Sequence, residues 1–313
     1  FMFDGAWLIA GVGFLIPWQP LRYVLIAALI GFAAGRQMIW ANEYKNDWQT
    51  QKDLFWQLTW RAPGIAPDTA ILMNEGGLKF FADNSLSPVV NWVYAPDNTS
   101  DQIDYVLLYP TTRLRSKALP SLEPNQSIFT DYLAGTFNGN TSQALAIYFV
   151  PPGCMRILDP DIDRVNRTIP EGTLMRFAAR LSNHELILPE ETARMPKPYL
   201  PEPDHGWCYY FQKAELARQF GDWDQVKELG DAAFQLARPS GDPAELFVFI
   251  EGYAHAGEWD RAIELSKEAY NASPEIVGEM LCRLWERVEA ETSPGAGRSG
   301  ALSEIRTLLA CNP

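Results

Sequence analysis

The first forty residues restrict what this chain can become more than any other part of it. Gly5 to Trp18 (GAWLIAGVGFLIPW) carries no charge, and after a Gln-Pro-Leu-Arg break Tyr23 to Gly35 (YVLIAALIGFAAG) is again uncharged. The second run alone would span only about 20 Å as a helix, short of a hydrocarbon core of about 30 Å. Counted from Leu21 to Trp40 it lengthens to a membrane-spanning stretch. Arg22 and Arg36 are then placed to snorkel to the two interfaces, and Trp18 and Trp40 lie where interfacial aromatics belong. The expectation is a transmembrane helical hairpin over residues 1–40, in contact with membrane lipid. The first run lacks the basic start and A-x-A site of a signal peptide. A chain that opens Phe1-Met2 reads as the truncated end of a longer membrane protein. Basic residues and carboxylates mix on the flanks, so the positive-inside rule leaves the orientation open.

Past Trp40 the pattern turns amphipathic. Trp40, Tyr44, Trp48 and Phe55 fall on one helical stripe, Trp56 and Trp60 add an aromatic pair, and Pro63 closes the run. Residues 41–62 read as an aromatic helix. It either lies in the headgroup region or acts as a stalk packed on the domain that follows.

Charge divides the remainder. The whole chain carries 39 acidic against 26 basic residues, a balance that argues against nucleic acid as a partner. Eleven Trp and 12% aromatics argue against disorder. Residues 1–60 are neutral, whereas residues 201–313 hold 20 acidic against 10 basic, and a shift of that size marks a boundary. Five prolines between Pro189 and Pro203 make 189–205 a semi-rigid linker.

Residues 63–188 read as a small α/β domain. Thr69–Asn74 and Tyr105–Tyr109 are strand candidates, and between them Asp83-Asn84-Ser85 opens a helix carrying Leu86, Val89, Val90 and Val93. That is one βαβ crossover. Ala144–Val150 and Met155–Leu158 are further strands, and Arg176–Leu188 is helical or mixed, so a mostly parallel or mixed sheet of four or five strands is expected. The Asp159-Pro160-Asp161-Ile162-Asp163 run fails the calcium-loop pattern, since Arg164 stands at the glycine place and Pro170 at the twelfth. It reads as a solvated turn. Gly76-Gly77 has no phosphate-loop spacing, and His184, His205 and His255 lack metal-ligand partners. No cofactor or metal is implied. The chain has four cysteines and no C-x-x-C motif. In an oxidising space Cys154 and Cys208 would close a loop of about 55 residues, a constraint of roughly 4 kcal/mol. In a reducing one all four are free thiols. Five N-x-S/T sequons at Asn98, Asn125, Asn140, Asn166 and Asn271 matter only in a host that glycosylates.

The C-terminal part repeats. Phe220-Gly221-Asp222-Trp223 returns as Ala256-Gly257-Glu258-Trp259, a period of 36 residues, with helices expected at 206–220, 222–238, 243–256, 258–271 and 274–290. Two helices per period make a helical-hairpin array. In the second unit Phe249, Tyr253, Gly257, Trp259, Ala262, Ala269 and Pro274 resemble the tetratricopeptide repeat. In the first, Ala214, Gly221, Trp223 and Ala233 match while Lys213, Val226 and Gly230 depart from it. The third unit is interrupted by Ser293–Gly300. The resemblance implies a concave groove for a protein or peptide partner, formed by Phe211, Glu215 and Arg218 and then Phe247, Glu251 and His255. The alternative is a packing module over the α/β domain with Phe211 and Phe247 buried.

The expected fold is therefore α+β or α/β: a transmembrane hairpin, a small mixed domain and a helical repeat domain at 206–313 whose tetratricopeptide-like part covers 206–291, with the bulk outside the cytoplasm. The first functional reading is a membrane-anchored binding or scaffold protein. The second rests on architecture, because an apolar hairpin, an interfacial aromatic helix and an α/β domain are similar to the C-terminal portion of C-type lipid-phosphate-sugar glycosyltransferases. That resemblance implies a catalytic acid in an upstream loop that these residues do not contain.

Overall fold

The computed structural model describes residues 2–132, 134–236, 241–309 and 311. It is a mixed α+β chain that divides into two compact units, Phe1–Thr50 and Gln51–Pro313. The N-terminal unit holds α1 (Met2–Leu15) and most of α2 (Gln19–Arg61), whose last residues belong to the second unit. The break between the helices falls at residues 16–18 and not at Gln19–Arg22 as expected. Pro20 is tolerated because the first turn of a helix needs no backbone donor there, and Arg22 Nε donates to the Ile16 carbonyl across the break at 3.2 Å. Nor is there a division at residue 40. From Arg36 to Arg61 the sequence has no proline or glycine, so the 43-residue helix runs on for about 64 Å. Its apolar part, with mean hydropathy 1.6 and none of it buried, is long and apolar enough to cross a membrane. The 14 residues of α1 reach only about 21 Å.

In the second unit β1 (Thr69–Met73), α3 (Asp83–Tyr94) and β2 (Tyr105–Leu108) form the expected crossover. The short α4 (Pro110–Arg113) follows, then the antiparallel pair β3 (Ser127–Tyr132) and β4 (Gly135–Asn140), then β5 (Ala144–Tyr148) and β6 (Arg156–Ile157). The main sheet has the order β2-β1-β5-β6, with the first three strands parallel and β6 antiparallel to β5. Every residue of β1 is buried, the continuous apolar pattern of a strand covered on both faces. Ala70, Leu72, Val106, Leu108, Ala144 and Ala146 share one face and pack with Ile128 and Phe137 of the β3–β4 pair. The same core takes in Met175 of α5 (Met175–Ala178) and the 3-10 turn that follows it.

The outer edge of β2 is closed by side chains. Asp83, Ser87 and Asn91 recur every four residues along one face of α3. Asp83 Oδ2 accepts from Tyr109 N (3.3 Å), Ser87 Oγ accepts from Leu107 N (2.9 Å) and Asn91 Oδ1 accepts from Tyr105 N (3.1 Å). Ser87 and Asn91 also donate to the Leu107 and Tyr105 carbonyls. A helical period of four thus meets a strand period of two, and the backbone groups that a neighbouring strand would pair are satisfied.

The helical part comprises α6 (Trp207–Gln219), α7 (Trp223–Leu236), α8 (Phe247–His255), α9 (Trp259–Ala272), α10 (Pro274–Glu291) and α11 (Ala296–Leu309). Residues 237 and 238 of the expected 222–238 helix lie outside the described residues. Gly221 and Gly257 take positive φ (71° and 77°) at the turns between paired helices, where glycine alone avoids strain. The proline-rich stretch 189–205 is packed, not free. Tyr199 is buried against Phe55 and receives a hydrogen bond from Gln51, while Trp56 Nε1 donates to the Tyr199 carbonyl and Trp60 Nε1 to Glu202. Over residues 51–61 the aromatic helix is accordingly a packing element, with Phe55 and Leu58 in the core.

Replacing Asn91 with Ala removes bonds to both backbone groups of Tyr105, and we expect a loss of about 1–3 kcal/mol of stability by chemical denaturation. The exposed neighbour Asn84, changed to Ala, should cost well under half of that.

Candidate functional site

Five of the six residues that the repeat resemblance assigned to a groove (Phe211, Glu215, Arg218, Phe247 and Glu251) converge on one place, and the chain's own residues 154–163 fill it. Cys154 N donates to Glu245 Oε1 (2.8 Å), and Glu245 Oε2 accepts from Trp207 Nε1 (2.5 Å). Met155 N donates to Gln57 Oε1 (2.8 Å), and Gln212 of α6 donates to the Met155 carbonyl. Ile162 enters the same core as Phe211 and Phe247, which are 2% and 5% exposed. A disulfide joins Cys154 to Cys208 at the start of α6, and a second joins Cys282 of α10 to Cys311.

At the centre lies a buried ion network. Arg287 of α10 grips Glu251 of α8 through Nε (2.6 Å) and Nη2 (3.2 Å), and its Nη1 reaches Asp159 Oδ2 at 2.7 Å. Arg218 of α6 pairs with Glu215 (2.7 Å) and approaches Glu251 (3.7 Å) and Asp159 (3.8 Å). Beside it Arg156 pairs with Asp163 and, at 3.4 Å, with Asp242. His255 stands apart from the network, stacked on Trp223 with its Nε2 3.5 Å from Glu291. The aspartate run is thus no solvated turn: Asp159 and Asp163 are taken up by guanidinium groups, and Asp161 alone is exposed. The network borders a partly open pocket of about 30 Å³, room for a single water. Among the described residues no group of His, Cys, Asp and Glu is arranged to hold a metal ion.

Electrostatics follows from this geometry. Burial alone would raise Asp159, yet Arg287 and Arg218 hold it well below the usual carboxylate range. Burial raises Glu251 and Asp163 even against their arginine partners. Arg61, at the end of α2, is 1% exposed, and none of its three guanidinium nitrogens has a hydrogen-bond partner among the described residues. Burial lowers it to about 10, opposed by Glu215. His184 Nε2 lies 3.0 Å from the Leu158 carbonyl, which only accepts, so this nitrogen carries the proton. Burial, with Arg61 and Arg218 nearby, lowers His184 to about 4.

Arg287, Arg61 and Arg156 went unmarked in the sequence, although one of them had a signal. Glu215, Glu251 and Arg287 stand 36 residues apart, the spacing of the Gly221 and Gly257 turns. They lie one each on α6, α8 and α10, and the third supplies a charge that closes the cluster. Comparison with protein-family models, curated proteins and solved structures found no match.

Two outcomes are expected. Arg287→Ala leaves Glu251 and Asp159 without their nearest cation, with only Arg218 at 3.7–3.8 Å, and should cost about 3 kcal/mol in denaturant unfolding, whereas Arg61→Met, which removes a buried charge with no hydrogen-bond partner among the described residues, should be neutral or stabilising. His184 is neutral in the fold and titrates lower than in the unfolded chain. Its contribution is complete above about pH 6.5 and is lost as pH falls toward about 4. Thermal melts should show this decline between those limits, and His184→Gln should flatten it.

Proposed function

We propose that this chain is a membrane-anchored interaction module: α2, with α1, forms a membrane hairpin, and the helices of residues 206–313 form a tetratricopeptide-like array outside the cytoplasm. The observation that carries this reading is how α6 and α8 hold residues 154–163. A short strand and the turn after it are held at the backbone by Gln212 of α6 and by Glu245, which precedes α8, and at the side chains by Arg218, Phe211 and Phe247. Main-chain bonds combined with side-chain anchors are a recurring way of holding a peptide segment. The concave face therefore carries an internal ligand, and partners meet the outer surfaces of the hairpins. The two disulfides support an oxidising compartment.

Sidedness is tested in right-side-out vesicles. An impermeant protease should cleave near the exposed Ser293–Gly295 turn, and maleimide should label the denatured chain only after reduction. Protection from the protease, or labelling without reduction, would overturn the location. The interaction role is tested with a photo-reactive side chain at exposed Phe220 or Glu264 in the native membrane. A defined protein adduct is expected, and its absence from both positions rejects the role.

A further inference from the structure

We propose that the groove between α9 and α11 docks a lysine- or arginine-bearing segment of a partner protein. This inference deepens the interaction-module reading and rests on it. The groove, about 670 Å³, owes its existence to a departure from the repeat. The second helices of the first two hairpins open with Trp223 and Trp259, whereas the place 36 residues further on is Gly295, and α11 continues with Ala296, Gly297 and Gly300. Large side chains are missing where the preceding units carry a ring. A Cβ built on Gly297 would lie 2.7 Å from Trp259 Cδ1, so α11 rests directly against the indole, whereas one on Gly300 would meet nothing within 4 Å. Open volume therefore remains beside Gly300.

The charge of the lining selects the occupant. Glu258, Asp260 and Glu304 border the groove against a single cation, Arg261. Arg261 is committed elsewhere, paired with Glu264 and lying over the Phe234 ring. Asp260 forms no ion pair among the described residues. Glu258 and Glu304 meet Lys227 (3.2 Å) and Lys267 (2.6 Å) at half-exposed sites, where such pairs contribute little and exchange readily. Lys227 shows the mode of recognition within the chain itself, since a lysine from the neighbouring helix already meets the carboxylate that precedes α9. An incoming cationic side chain would find Asp260 open, an indole alongside for its aliphatic stem or charge, and a helix backbone bare enough for close approach. The surrounding excess of acidic residues steers such a segment toward the groove.

The test is calorimetric titration of the full chain in detergent micelles with a short lysine-rich helical peptide, and with a glutamate-rich peptide of the same length. Saturable binding of the first alone is expected. Gly300→Phe fills the groove without altering charge, and Asp260→Lys reverses the open carboxylate; each should weaken binding by about tenfold or more with an unchanged melting temperature. Should Gly300→Phe unfold the chain, Asp260→Lys still decides the question. Equal binding by the variants, or no saturable binding, overturns the proposal. If peptide binding fails while the photo-adducts form, the groove is wrong and the interaction reading stands. If the adducts fail as well, that reading falls with it.

Discussion

Asp159 held between Arg287 and Arg218 is the contact on which the second unit depends. With Glu251 it joins α6, α8 and α10 to the loop that follows the sheet, and it does so largely away from water, where a charge lacking its partner is costly. Around it the same logic repeats with Arg156 and Asp163, and with Glu245 and the Cys154 backbone. Apolar contact between Ile162, Phe211 and Phe247 supplies the bulk of the burial. The charges supply direction, because a buried salt bridge is satisfied in one geometry whereas an apolar face tolerates several.

Arg61 is the exception. It is buried beside Glu215 and Arg218, yet its nitrogens have no hydrogen-bond partner among the described residues. Glu215 lies close enough to offset part of its burial, but Arg218 already occupies that carboxylate. His184 bears the consequence, since two neighbouring cations and the loss of solvent keep its ring neutral.

Much of the architecture was legible because it is written in short-range periodicity. The apolar stretch, the βαβ unit and the helices after residue 206 all come from spacing that a single element must satisfy. The β3–β4 pair escaped notice because Gly135, Asn138, Gly139 and Asn140 dilute its alternation, and only Ile128 and Phe137 point into the core. The break before α2 was misplaced because proline marks either the end of a helix or its first turn. Charge partners were the least legible. Asp159 and Arg287 are 128 residues apart, and nothing local tells a buried carboxylate from a solvated one. The period that aligned Gly221 with Gly257 also aligned Glu251 with Arg287, so that part of the network was written in the sequence at long range.

The stripe of Asp83, Ser87 and Asn91 has a consequence for how this molecule meets others. A sheet normally grows by accepting another strand at its rim, the route to both strand-swapped dimers and fibrils. Here one rim is saturated by a helix, and the other ends in a strand of only two residues, both buried. Strand addition is thus disfavoured at both rims of the main sheet, and that sheet is insulated from templated growth.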